Sequence, residues 1–131
     1  MEQHEQRIAL AVALYREVAA MRAEGASPGG LVFILLEELV DCLDAMGGAI
    51  ATGQRERRND VRRRAEAIVF SLDVTLDVGA GALSDRLGAI YREVGSLIGA
   101  AVAENDPDRC HRARDLVEPI AEAWREIAQA A

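Results

Sequence analysis

The sequence predicts an all-α protein, an antiparallel bundle of helices forming a single domain over residues 1–131. Half of the residues are hydrophobic but only 4% are aromatic, so Ala, Leu, Ile and Val dominate, a mixture that favours helix. Apolar residues recur at three- and four-residue spacing, and no stretch alternates with period two for long enough to form a strand. A chain of 131 residues fits one core. Short gaps between the segments favour antiparallel neighbours.

A cap-and-proline signature separates the first two predicted helices. Residues 5–24 form an amphipathic segment that should end near Gly25. The next helix should begin at Ser27 and Pro28, because Ser accepts hydrogen bonds from unpaired backbone N–H groups and Pro suits the first turn. The apolar positions of the first segment are Ile8, Val12, Leu14, Tyr15, Val18 and Met21.

The second helix, predicted over residues 29–52, is more apolar than one buried face requires. Two interpretations stay open: the helix is central in the bundle, or its second face binds a partner. The main stripe contains Leu31, Leu35, Leu39, Cys42, Leu43, Met46 and Ile50, and Val32, Phe33, Leu36 and Val40 widen it.

Three further helices complete the predicted bundle. An Arg-rich stretch after Gly53 leads into the third helix, which residues 77–81 interrupt. The fourth ends near Asn105, and Asp106-Pro107 repeats the capping signature and opens the fifth. Pro119 lies inside the fifth helix and should either kink it or break it in two. The stripes are Val61, Ala65, Ile68, Val69, Leu72 and Leu76; then Leu83, Leu87, Ile90, Tyr91, Val94, Leu97, Ile98 and Val102; then Ala113, Leu116, Val117, Ile120, Trp124 and Ile127.

Charge and cysteine content argue against several classes of protein. A formal net charge of −7 and a pI near 4.8 disfavour binding to nucleic acid or to an anionic membrane. No apolar run approaches the length of a membrane span, and the N-terminus lacks the basic region of a secretory signal. Cys42 and Cys110 are isolated and are expected to be reduced core residues. These features predict a cytoplasmic protein.

The two histidines do not support a metal site or phosphotransfer. Neither His4 nor His111 stands three residues after a glutamate, as a di-iron bundle requires. His111 and Cys110 match no ordinary zinc spacing. A phosphorylated histidine would need nearby glycine, and none is close to His111. We therefore expect no metal and no cofactor.

The charged clusters do not predict catalysis either. The acidic group Glu37, Glu38, Asp41 and Asp44 follows the polar side of the second helix. The basic run Arg55, Arg57, Arg58, Arg62, Arg63 and Arg64 lacks aromatic residues for base stacking, and should pair with acidic helices or with a protein partner. The glycine pairs follow no strand, so they form no phosphate loop. The sequence predicts a binding protein, not an enzyme.

Several short motifs occur in a fixed order along residues 26–127. They are Ala26-Ser27-Pro28 with Leu31-Val32; Ser71-Leu72-Asp73 with Leu76-Asp77; Gly81-Ala82-Leu83 with Leu87 and Ile90-Tyr91; Asn105-Asp106; and Ala123-Trp124-Arg125-Glu126-Ile127. In order and spacing this set resembles the FliS family of flagellar export chaperones.

The resemblance implies a four-helix bundle core with an additional N-terminal helix. It also implies a partner, the C-terminal segment of flagellin, which is disordered in the monomer and helical in the filament. Covering the apolar face of that segment would prevent premature polymerisation, and delivery to the flagellar type III export gate would follow. The N-terminal helix would cover the flagellin groove in the free protein. The alternative is a helical adaptor that binds another secreted or regulatory protein.

The predicted groove combines this resemblance with the surplus apolar positions of the second and fourth helices. Trp124 is expected in the core, and Tyr91 either in the core or at the partner. Three departures from the family affect the polar details of the groove: Val18 stands where the N-terminal tyrosine is usual, Leu36 replaces a tyrosine, and Val102 replaces a frequent asparagine. The predicted groove residues are Ile8, Val12, Tyr15, Leu36, Leu39, Val40, Ile90, Tyr91, Val94 and Ile98.

Overall fold

The computed structural model describes residues 28–76 and 81–130, which form four α-helices and no strand. Helix α1 spans Pro28–Ala51, α2 spans Arg55–Val74, α3 spans Ala82–Ala103 and α4 spans Pro107–Ala130. The all-α prediction is confirmed for the described residues. Four of the five predicted helices are present, and each begins or ends within one or two residues of a predicted boundary. The predicted N-terminal helix over residues 5–24 lies outside the described residues.

The four helices form a ring in which each packs against two neighbours. Helix α1 makes the most extensive contacts, first with α4 and then with α2. Helix α3 closes the ring between α4 and α2, and the α2–α3 pair has the least extensive contact of the four. The short connections make sequence neighbours antiparallel.

The two tight corners, after α1 and after α3, have the same backbone design. At the first, the N–H of Gln54 donates to the carbonyl of Ala49 (2.9 Å) and the N–H of Gly53 donates to that of Ile50 (3.3 Å). Asp106 and Asn105 repeat these bonds after α3. This is the Schellman pattern, which needs a left-handed residue. Gly53 (φ 70°) and Asn105 (φ 51°) supply it.

The predicted start of the last helix is confirmed in detail. The backbone N–H of Asp108 donates to Oδ1 of Asp106 at 3.0 Å, so Asp106 is the N-cap and Pro107 takes the first helical position. Helix α4 then continues without interruption through Pro119. The alternative in which Pro119 breaks the helix is therefore wrong, and the kink stays a prediction.

The Arg-rich stretch belongs to α2 itself, which corrects the expectation that it precedes a helix. Helix α2 begins at Arg55, immediately after the turn. Arginine is a good helix former, and intrahelical ion pairs stabilise this first half. Arg63 pairs with Asp60, and Nε of Arg62 lies 2.6 Å from Oε1 of Glu66. The stretch carries little apolar periodicity, so its helical character was hidden.

The core lies between all four helices and is formed mainly by aliphatic side chains. The most deeply buried large residues are Leu36, Leu39, Leu43, Met46, Ile68, Val94, Ile98 and Val117. The thiols of Cys42 and Cys110 are free and buried, as predicted. Trp124 is partly buried and packs against this core. The burial of Leu36 supports the interpretation of α1 as a central helix, while Val32 and Val40 remain partly exposed.

Ion pairs between helices converge on α1. Nε of Arg64 on α2 lies 2.6 Å from Oε1 of Glu38. On α4, Nε of Arg114 lies 3.1 Å from Oδ1 of Asp44. The α4 side chain of Arg125 lies over the ring of Phe33, 5.4 Å from its centroid. Within the described ranges, no ion pair joins a side chain of α3 to another helix. Apolar packing therefore holds α3 in place.

Candidate partner-binding groove

A surface groove runs along the loosest helix pair, α2 and α3. Two adjoining clefts of about 340 and about 190 Å³ form it, and Asp73 and Arg92 border both. We call this feature the α2–α3 groove. Its lining residues are Glu66, Val69, Phe70, Asp73 and Leu76 on the α2 side, and Ser84, Asp85, Gly88, Tyr91, Arg92 and Gly95 on the α3 side.

The smaller cleft of the groove has an apolar wall formed by Val69, Phe70 and Tyr91. Tyr91 is 2% exposed, and Val69 and Phe70 are partly buried beside it. Burial raises the pKa of Tyr91 to about 12, and the nearby charge of Asp73 adds to the effect. The phenol therefore stays neutral near pH 7, and this wall of the groove presents aromatic and aliphatic surface to a ligand.

Glycines bring the α3 backbone to the groove surface. A Cβ atom placed on Gly95 would meet nothing within 4 Å, and the same holds for Gly99 one turn later. At Gly88, a Cβ would lie 3.3 Å from Nη1 of Arg92 and 3.6 Å from Cδ1 of Leu76. Space for a side chain is therefore available at Gly95, whereas Arg92 and Leu76 already occupy the space beside Gly88. Missing side chains of this kind let another backbone approach closely.

Two exposed apolar side chains lie next in sequence to lining residues of the groove. Leu83, at the start of α3, is 72% exposed, and Val74, at the end of α2, is 54% exposed. Both helix ends adjoin the cleft that contains Leu76 and Ser84. A partner longer than the groove can bury these side chains as well.

The predicted groove residues divide into four groups. Leu36, Leu39, Val94 and Ile98 are fully buried in the core, so a partner reaches them only if the helices rearrange. Tyr91 is also buried but lines the groove. Val40 and Ile90 are partly buried and pack against the core. Ile8, Val12 and Tyr15 lie outside the described residues. The role of all ten in partner binding stays a prediction.

Sequence reasoning missed most of the residues that line the groove. Phe70 falls outside the predicted apolar stripe, and Gly88, Gly95 and Arg92 have no apolar side chain that a periodicity would detect. One signal was available, because Gly88 and Gly95 are seven residues apart and therefore lie on the same face of a helix. Asp73 belongs to one of the ordered motifs but to no apolar stripe.

A second cleft, of about 320 Å³, lies between α1 and α2. Cys42, Ala45 and Val61 supply apolar surface, and Asp41, Asp60 and the Glu38–Arg64 ion pair supply charge. Burial raises the pKa of the Cys42 thiol to about 11, and Glu38 adds to the effect. This thiol is a poor nucleophile and a poor metal ligand at neutral pH.

The other ionisable groups do not assemble a reactive centre. His111 is exposed, with Nδ1 3.7 Å from Oδ1 of Asp108. In the part of the chain that the structure covers, no group of three or more His, Cys, Asp or Glu side chains could hold a metal ion. None of the described helices is long and apolar enough to cross a membrane. The groove is thus the strongest candidate site in the described residues.

Comparison with known proteins decides the family. A family model described as flagellar protein FliS matches residues 11–131. The chain belongs to the FliS family. No curated protein shows significant similarity to it. The match confirms the resemblance stated from the ordered motifs, and FliS is a family of flagellar chaperones with no known enzymatic activity. A four-helix bundle with an open groove is consistent with that role.

Proposed function

We propose that this protein is a cytoplasmic export chaperone that binds the disordered C-terminal segment of flagellin, prevents its premature polymerisation and assists flagellar type III export. The observation that carries this proposal is the α2–α3 groove in a chain of the FliS family. The groove combines an apolar wall with an open backbone surface at Gly95. These are the features that accept an amphipathic helix.

The physical task is to cover an apolar helical face. A disordered segment that folds on binding loses on the order of 2–5 kcal/mol or more of its interaction energy to ordering. A long interface is therefore needed. The exposed side chains of Leu83 and Val74, each next in sequence to a groove residue, are further apolar surface that such a segment could cover.

Two further expectations belong to the same proposal. The segment containing Ile8, Val12 and Tyr15 covers the groove when no flagellin is bound, and flagellin displaces it. The complex then reaches components of the export gate. Limited proteolysis around residues 5–20 tests the displacement, since the cleavage rate there should rise when the flagellin segment is added.

Isothermal titration calorimetry with a flagellin C-terminal segment tests the proposed function directly. We expect a Kd of about 1 μM or lower, accompanied by a gain of helicity in circular dichroism. Gly95→Leu should abolish binding by filling the open part of the groove. The variant should fold, because Gly95 has free space for a side chain and leucine favours helix by roughly 0.5–1 kcal/mol over glycine.

Gly48→Leu is the matched control. Gly48 is exposed on α1 and is not a lining residue of the α2–α3 groove, and a Cβ atom placed on it would also meet nothing within 4 Å. This variant should bind the segment as the natural protein does. If the natural protein does not bind the flagellin segment, the export-chaperone proposal is contradicted. If a different secreted or regulatory protein binds in the groove, the adaptor alternative is favoured.

A further inference from the structure

The α2–α3 groove contains three charged side chains that lack an ion-pair partner among residues 28–76 and 81–130: Asp73, Asp85 and Arg92. Asp73 on α2 and Arg92 on α3 border both adjoining clefts, so they lie at the junction of the two. No ion pair joins them to each other or to another described residue. Glu66, in the same groove, is paired with Arg62 at 2.6 Å. The junction of the two clefts thus offers one unpaired charge of each sign, and Asp85 adds a second anion in the larger cleft alone.

The surroundings make these charges costly to cover with an apolar ligand. Asp73 is already partly buried, next to Val69 and Phe70 in one cleft and Leu76 in the other. A partner lying in the groove would remove water from the carboxylate and from the guanidinium. Desolvated charges are destabilising unless an opposite charge or hydrogen bonds replace the water. The partner must therefore supply those groups itself.

We propose that Asp73 and Arg92 select the sequence and the direction of the bound helix. The occupant places a Lys or Arg against Asp73 and an Asp or Glu against Arg92, on opposite flanks of its apolar face. This inference rests on the proposed function, in which the occupant is the C-terminal segment of flagellin. It adds the charge pattern that the segment must carry.

The direction follows from the position of the two charges on opposite walls. A helix laid in the groove with its apolar face inward exchanges its left and right flanks when its direction is reversed. The reversed helix would bring its anion to Asp73 and its cation to Arg92. Juxtaposed like charges disfavour that arrangement, which is how interfaces commonly exclude a wrong mode of binding.

Calorimetry of the full-length protein with the flagellin segment tests this inference. Asp73→Arg and Arg92→Asp should each weaken binding by about tenfold or more at low salt, and the loss should shrink as salt screens the charges. The controls are Asp115→Arg and Arg112→Asp, which make the same charge changes at exposed positions of α4 outside the groove. They should change the Kd by less than about twofold.

A reciprocal change in the segment gives the sharper result. Each Lys or Arg of the segment is changed to Glu in turn, and one of these variants should bind the Asp73→Arg protein more tightly than it binds the natural protein. Circular dichroism and thermal melting verify that each variant is folded. If a charge-reversal variant does not fold, the neutral variant Asp73→Asn or Arg92→Gln is measured in its place.

The outcomes separate this inference from the proposed function. Equal affinity of the natural protein and all groove variants would overturn the charge selection and leave the export-chaperone function intact. No binding to the natural protein would overturn both.

Discussion

At the residue scale, one leucine of α1 and one of α3 show how a core residue and an exposed residue differ. Leu36 was predicted to face flagellin, but its side chain is fully buried between the helices. Leu83 is apolar to the same degree and is 72% exposed. Apolar periodicity detects both and cannot distinguish them, because burial depends on which neighbour lies opposite. The spacing of apolar residues therefore indicates a helix face, but whether a residue lies in the core or at the surface depends on the packing of the helices.

We expect Leu36→Ala to lower the free energy of unfolding by about 2–5 kcal/mol, because it leaves a cavity in the core. Leu83→Ala should change it by less than about 0.5 kcal/mol, as is usual for an exposed site. Urea denaturation followed by circular dichroism measures both. Equal losses would show that Leu36 is not a core residue in solution.

The two buried thiols should make stability depend on pH in the alkaline range. Burial raises the pKa of Cys42 and of Cys110 from 9 to about 11. In the unfolded chain the thiols lose their protons near pH 9, while the folded protein still retains them. The unfolded state is therefore increasingly favoured as pH rises from about 9 towards 11.

Unfolding in urea at pH 8, 9 and 10 measures this effect. The free energy of unfolding should fall over that range in the natural protein, and fall less in a Cys42→Ala, Cys110→Ala double variant. Tyr91 contributes little to this fall below pH 10. Its hydroxyl is still mainly protonated there in the unfolded chain, and burial raises its pKa from 10 to about 12 in the folded protein. A fall of the same size in both proteins would assign the effect to other groups.

At the scale of single elements, end signals were more informative than helix interiors. Asp106-Pro107 predicted the start of α4 because a cap and a proline act locally, and the structure has the expected hydrogen bond. The first half of α2 was not recognised as helical because ion pairs, not an apolar stripe, stabilise it. Local chemistry can be read from sequence, whereas stabilisation by polar pairs gives no periodic signal.

Removing the Asp106 cap should destabilise the protein. Asp106→Ala leaves the N–H of Asp108 without its acceptor and should cost about 0.5–2 kcal/mol in thermal or urea unfolding. Asp106→Asn retains an oxygen in the same place and loses only the charge, so it should cost much less. If Asn and Ala are equally destabilising, the ion pair of Asp106 with Arg109 (3.6 Å) matters more than the cap.

At the scale of the whole molecule, the groove depends on which helix pair packs least tightly. The sequence predicted four of the helices and their apolar faces, but their order around the ring and the extent of each interface are long-range properties. Tyr91 was predicted because it is apolar and lies on α3, whereas Gly95 was missed because its contribution is an absent side chain. A glycine such as Gly95 can be recognised as part of a groove only when the structure shows which helix packs beside it.

Hydrogen exchange should show this difference in packing. Amides of α1 and α4 should exchange most slowly, and those of α2 and α3 that border the groove should exchange faster, because local opening follows contact density. Adding the flagellin segment should slow exchange around Phe70 and Gly95 more than in α4. Mass spectrometry of peptic fragments resolves the four helices. Uniform protection across all four would contradict the loose α2–α3 pair.

Among the described residues no ion pair joins α3 to another helix, so its attachment rests on apolar packing, and this has a thermal consequence. Hydrophobic association weakens on cooling, and α3 has less extensive packing with its neighbours than any of the other three helices. Cooling should therefore loosen the packing of α3 first, while α1 and α4 remain packed against each other. The groove should then be widest in the cold, and its surface should adapt to a bound segment most easily there.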